Sequence, residues 1–112
     1  MRKLHKYMPL ATLVWGLAIA APTQAQDILH DRTPDQLERM VRQDCGSCHG
    51  LTFKGGLGSP LLPDDLSDFS VDDLTIIILD GLPGTAMPPW RAVVSPRDAA
   101  WMAQYLKAGG NK

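Results

Sequence analysis

Asp44-Cys45-Gly46-Ser47-Cys48-His49-Gly50 is the stretch that decides this chain. Two cysteines three apart, with histidine next, is the spacing of c-type haem attachment. Each thiol can add to one vinyl group of a porphyrin. The imidazole after them is then held under the iron, which makes His49 the candidate proximal ligand. Its other ring nitrogen needs an acceptor to fix the tautomer. A backbone carbonyl near Ser59-Pro60, stiffened by the proline, is one candidate.

Haem attachment requires export, and the start of the chain is laid out for it. Arg2, Lys3 and Lys6 precede a 12-residue apolar run, Leu10 to Ala21, and no acidic residue occurs before Asp27. Pro22-Thr23-Gln24-Ala25 places small residues before a cut after Ala25. This is a secretory signal pattern. The run is shorter than the roughly 20 apolar residues of a bilayer span. Residues 1–25 are therefore expected to be cleaved, and residues 26–112 to form one small periplasmic domain with no stable membrane association. The rival is an uncleaved anchor.

The whole chain carries 11 basic and 12 acidic residues, and cleavage would leave 8 against 12. That balance excludes a basic nucleic-acid surface. Both cysteines lie in the one motif. A disulfide or a thioredoxin-type redox pair is the rival in an exported protein, but no βαβ pattern surrounds the motif. A zinc site would need about four ligands, and the only further histidine of the mature chain is the distant His30.

Three helix starts are legible. Thr33-Pro34-Asp35-Gln36 combines a cap, a first-turn proline and a capping-box glutamine. Leu37, Met40 and Val41 come next at helical spacing, and Cys45 and Cys48 are expected to continue that stripe to a stop at Gly50. Ser70-Val71-Asp72-Asp73 opens the second helix, with Leu74, Ile77 and Ile78 buried and Gly81 as its end. The β-branched run 76–78 also suits a strand, but the cap and the glycine favour a helix. Ser95-Pro96-Arg97-Asp98 opens the third, with Trp101, Met102, Tyr105 and Leu106 facing inward and Gly109 closing it. Residues 50–69 and 81–94 are Gly/Pro-rich loops. The expected fold is all-α, three helices around one flat apolar cofactor.

The second side of the iron decides the chemistry. An open position means gas binding or catalysis, and a closed one means electron transfer. His30 lies on the lead-in, Met40 on a packing face, and Met102 among core neighbours. Met87 lies in a loop, before Pro88-Pro89, where a stiff backbone can hold a thioether against iron. A loop methionine without a role remains the alternative. His/Met ligation closes the iron and raises its potential. Trp90 and Trp101 read as haem-packing and core residues, with an electron conduit as the sharper alternative.

Cys45-x-x-Cys48-His49, a Gly/Pro loop, and Met87-Pro88-Pro89 before a last helix together resemble the small class I cytochromes c. Residues 44–58 and 78–90 are similar to a subgroup, the periplasmic monohaem cytochromes associated with dissimilatory cytochrome cd nitrite reductase. The resemblance implies one covalent haem c on Cys45 and Cys48, His49 and Met87 as axial ligands, and a monomeric electron-transfer protein rather than an enzyme. It implies cytochrome cd nitrite reductase as redox partner in denitrification, with a role in maturing that reductase's haem d as the alternative. One departure is visible: Ser59 stands between Gly58 and Pro60, where the family pattern places proline directly after glycine. No basic residue falls between Lys54 and Arg91, a span holding Asp64, Asp65, Asp68, Asp72, Asp73 and Asp80. That set is a solvated face or a docking patch for a basic partner.

Overall fold

Thr33 caps the first helix as the sequence predicts. In the computed structural model, which describes residues 32–110, its hydroxyl accepts from the Gln36 amide and the Gln36 side chain accepts from the Thr33 amide at 2.8 Å. Pro34 fills the first turn of α1, Pro34–Met40, where its missing N–H is not needed. The predicted signal segment and His30 lie outside the described residues.

The chain does not leave α1 as a regular helix. Val41–Cys45 is a π-helical turn, in which the Gly46 amide reaches back five residues to the Val41 carbonyl and also contacts the Gln43 carbonyl. α2, Gly46–His49, continues directly from it. This corrects the expectation of one continuous apolar stripe. An extra residue in a turn rotates the rest of the helix by roughly 100°, one residue's step around the axis. Leu37 and Val41 enter the core, whereas Cys45 is half-buried and Cys48 exposed. Past the π turn Cys45 still packs against the core from its edge, while Cys48 turns outward.

Residues 50–69 fold back on α2. Gly50 leaves the helix at φ 90°, and a Cβ there would sit 2.7 Å from the Gly55 carbonyl oxygen. Phe53 adopts φ 56°, uncommon for a bulky side chain. Its ring is fully buried, and burying such a ring is worth about 2–3 kcal/mol, enough to offset the backbone cost. Farther on, Asp65 accepts from the Leu62 amide at 3.0 Å, and Lys107 donates to the Leu66 carbonyl at 2.7 Å. Lys107 thus ties the end of the last helix to this loop as well as complementing the helix dipole.

α3, Val71–Asp80, is capped reciprocally by Ser70 and Asp73. These hydrogen bonds from Ser70 hold the Asp73 carboxyl below its ordinary value. Leu74, Ile78 and Leu79 are its buried residues, so the β-branched run is helical as expected. α4, Pro96–Lys107, starts at the Ser95–Asp98 box and buries Ala99, Met102, Ala103 and Leu106. It packs against both α3 and α1. Met102 is a core filler at 1% exposure, as its apolar neighbours in the sequence predict. Trp101 stacks on Tyr105 with centroids 5.0 Å apart, both half-buried.

Asp98 does more than its capping motif announces. It is 3% exposed, receives the Ser95 amide at 3.3 Å, and pairs with Arg32 at 3.3 Å. Asp98→Ala removes the return half of the α4 box and a buried partner of Arg32. It is expected to cost about 2 kcal/mol, read as a lower urea midpoint at unchanged m-value.

Candidate haem site

The motif turn ends abruptly, and the loop after it supplies what the turn lacks. Helix C-termini leave carbonyls unsatisfied. Here the Gly58 amide donates to the Cys48 carbonyl at 2.8 Å and the Gly55 amide to the His49 carbonyl at 2.9 Å. Both closures need bare backbone. A Cβ on Gly56 would lie 2.8 Å from the Cys48 carbonyl oxygen. A Cβ on Gly58 would lie 2.7 Å from Nδ1 and Cε1 of the His49 ring. Residue order marks these glycines only as loop formers; the ring contact at Gly58 is a functional constraint that residue order does not reveal.

His49 Nδ1 stands 2.7 Å from the Ser59 carbonyl oxygen. A carbonyl can only accept, so Nδ1 carries a proton, and in the neutral ring this leaves the lone pair on Nε2. The inserted Ser59, the one departure from the family pattern, is itself the acceptor. The expected stretch supplied the carbonyl, and Pro60 comes directly after it.

Cys45 and Cys48 lie one turn apart, directly before His49. Burial, then the neighbouring Asp44 carboxylate, pushes the Cys45 thiol up to about 11. Ser47 Oγ donates to the Asp44 carbonyl at 2.7 Å, bracing the same turn. Among the described residues no group of three or more His, Cys, Asp and Glu side chains could hold a metal ion, and no strand occurs. The zinc and thioredoxin readings therefore lack support there.

Met87 sits on a different loop, anchored to the end of α3. Gly81 leaves α3 at φ 68°, and a Cβ on it would meet the Met87 carbonyl oxygen at 2.6 Å. The Leu82 amide donates to that same carbonyl at 3.2 Å. Beyond Met87 the Trp90 and Arg91 amides both donate to the Leu79 carbonyl at 3.1 Å, and the Arg91 guanidinium holds Asp80 at 2.7 Å. Met40, Leu61, Leu62 and Trp90, all half-buried, pack against the core.

This donor set fits a covalent haem c: paired thiols on one turn, an imidazole with its Nε2 lone pair unengaged, and a loop thioether. Comparison with known proteins agrees. The sequence pattern of the family described as cytochrome c oxidase, cbb3-type, subunit III, matches residues 32–106. Cytochrome c55X of Paracoccus denitrificans is 48% identical over 97 residues, covering 87% of this chain and 88% of that protein.

The chain belongs to the c-type cytochromes, alongside cytochrome c55X.

Among solved structures, the c-type cytochrome NirC is 43% identical with a TM-score of 0.66, over 69% of this chain and 91% of that one. Dihydro-heme d1 dehydrogenase of Pseudomonas aeruginosa is 33% identical over 88% of this chain but only 19% of its own length. This c-type cytochrome is accordingly an all-α electron carrier with one covalently bound haem c. When bound, the haem supplies the one-electron chemistry, and the polypeptide sets its ligation, burial and docking. No helix of the described residues is long and apolar enough to cross a membrane.

Gly58→Ala tests the ring contact. The holoprotein is expected to form, because the cysteine pair is intact, but with the His49–Ser59 bond displaced. The ferrous resonance Raman iron–histidine frequency, read in a Met87→Ala background, is expected to fall as Nδ1 loses its acceptor. An unchanged frequency would show that the loop yields without moving the ring.

Proposed function

We propose that Cys45 and Cys48 hold the haem by two thioether bonds, that His49 binds iron through Nε2, and that Met87 completes the coordination. The observation that carries this reading is the His49 Nδ1–Ser59 hydrogen bond. It turns the lone pair of a motif histidine outward from its acceptor, as an iron ligand requires. With both axial positions filled, the iron exchanges electrons rather than substrates. Met87→Ala should abolish the thioether-to-iron charge-transfer band of the ferric protein and admit carbon monoxide to the ferrous one. Rapid carbon monoxide binding by the unaltered protein would overturn the closed-iron reading.

Residues 1–25 act as a cleaved export signal in this reading, and the mature domain works as a monomer in the periplasm. Its acceptor is cytochrome cd nitrite reductase, which places the carrier in denitrification. Similarity to cytochrome c55X and to NirC supports this assignment. The similarity to dihydro-heme d1 dehydrogenase favours a second reading, in which the cytochrome takes electrons released during maturation of the reductase's haem d. Mixing the reduced cytochrome with the reductase and nitrite separates the two. Prompt haem oxidation supports donation, and none excludes it.

The acidic face suits a basic partner. Asp80 is paired with Arg91, Asp73 with Ser70, and Asp65 with the Leu62 amide. Asp64, Asp68 and Asp72 are exposed between them, on a stretch without a cation. The triple variant D64N/D68N/D72N is expected to slow electron transfer several-fold at low salt and to flatten its salt dependence. Stopped-flow traces across ionic strength provide the check, and an unchanged rate would make the face merely solvated.

A further inference from the structure

We propose that Thr85 is the positioning residue for Met87, acting through a hydroxyl that both accepts from the Met87 amide and donates to the Leu82 carbonyl. This rests on the reading of Met87 as an axial ligand. The distances are 3.3 Å and 2.7 Å. The Thr85 amide donates to the same Leu82 carbonyl at 3.1 Å, and the Leu82 amide to the Met87 carbonyl at 3.2 Å. Residues 82–87 therefore form a closed loop in which the Thr85 hydroxyl is the side-chain link described between the turn and the methionine.

Packing against other protein side chains does not hold this loop. Leu82, Pro83, Gly84, Thr85 and Ala86 are all exposed, and a Cβ on Gly84 would meet nothing within 4 Å. Met87 alone is half-buried. What remains to fix its backbone is the internal hydrogen bonding, the close approach at Gly81 and the prolines after it. A thioether is a neutral, weakly basic donor, so its hold on iron depends on being delivered with little ordering cost. Loss of the hydroxyl unpins the Met87 amide and weakens the turn together, and the sixth position then exchanges more readily with an added base.

Thr85→Val keeps the shape and removes the hydroxyl, and Thr85→Ser restores it. The test is imidazole titration of the ferric holoprotein, monitored by loss of the charge-transfer band. Thr85→Val is expected to bind imidazole about fivefold more tightly than the unaltered protein, the worth of one hydrogen bond. Thr85→Ser should bind as the unaltered protein does, which a generally loosened loop would not explain. Met87→Ala is the reference for a site with no thioether. A band present in the unaltered protein, absent in Met87→Ala, and equally imidazole-resistant in Thr85→Val would overturn the role of Thr85 alone. No band in the unaltered protein would overturn the Met87 reading, and the Thr85 proposal with it.

Discussion

The fold turns on how the chain gets out of the motif helix. His49 is the last residue of α2, and its ring must stand clear of its own backbone while the carbonyls of Cys48 and His49 find donors. The loop of residues 50–59 meets both demands in one fold-back. Its amides at Gly55 and Gly58 close the helix end, and its carbonyl at Ser59 receives the imidazole proton. The side chain missing at Gly58 makes room for the ring. A helix that ran on past His49 would occupy the same carbonyls and leave no chain positioned to accept from Nδ1.

The Met87 side repeats this solution with different residues. There too a helix stops at a glycine of positive φ, and amides returning from the far side of a loop close its last carbonyls. There too a glycine lies against the candidate ligand residue, Gly81 against the Met87 backbone as Gly58 against the His49 ring. The difference lies in what holds each loop down. The first is nailed by Phe53, whose fully buried ring accepts a strained backbone to reach the core. The second has no buried protein side chain between Leu82 and Ala86, and is linked internally by the Thr85 and Leu82 hydrogen bonds.

Much of this was legible in residue order because helix starts are local. Each of the three capping boxes pairs a side chain with a backbone three residues away, so the sequence contains both partners. The cysteine–histidine motif is equally local. The π turn was not legible, since nothing in Val41-Arg42-Gln43-Asp44-Cys45 forbids a regular helix. Asp98 could be read as a cap, but its pairing with Arg32 spans 66 positions and depends on α1 packing against α4. The contact at Gly58 also needed the fold-back before it could be seen. Thr85 left a local signal, a hydroxyl two residues before an amide it can cap, which composition alone does not rank above other loop threonines.

Charge bears on what this architecture is for. Folding uses some of the carboxylates between Lys54 and Arg91 internally: Asp65 and Asp73 close turns, and Asp80 fixes the guanidinium next to the returning Arg91 amide. Those three would be kept whatever the protein did. Asp64 and Asp68 have no such duty, Asp72 adds its charge to the first turn of α3, and like charges near one another on an exposed face cost stability. Exposed Phe69 and Ile76 lie beside them, along a groove of about 420 Å³ that also meets Asp68 and Asp73. That combination suits a carrier that must find, use and leave its partner quickly. In the docking reading, the carboxylates would act at a distance on the rate of encounter, and the small apolar surface would add contact only once the two proteins touch.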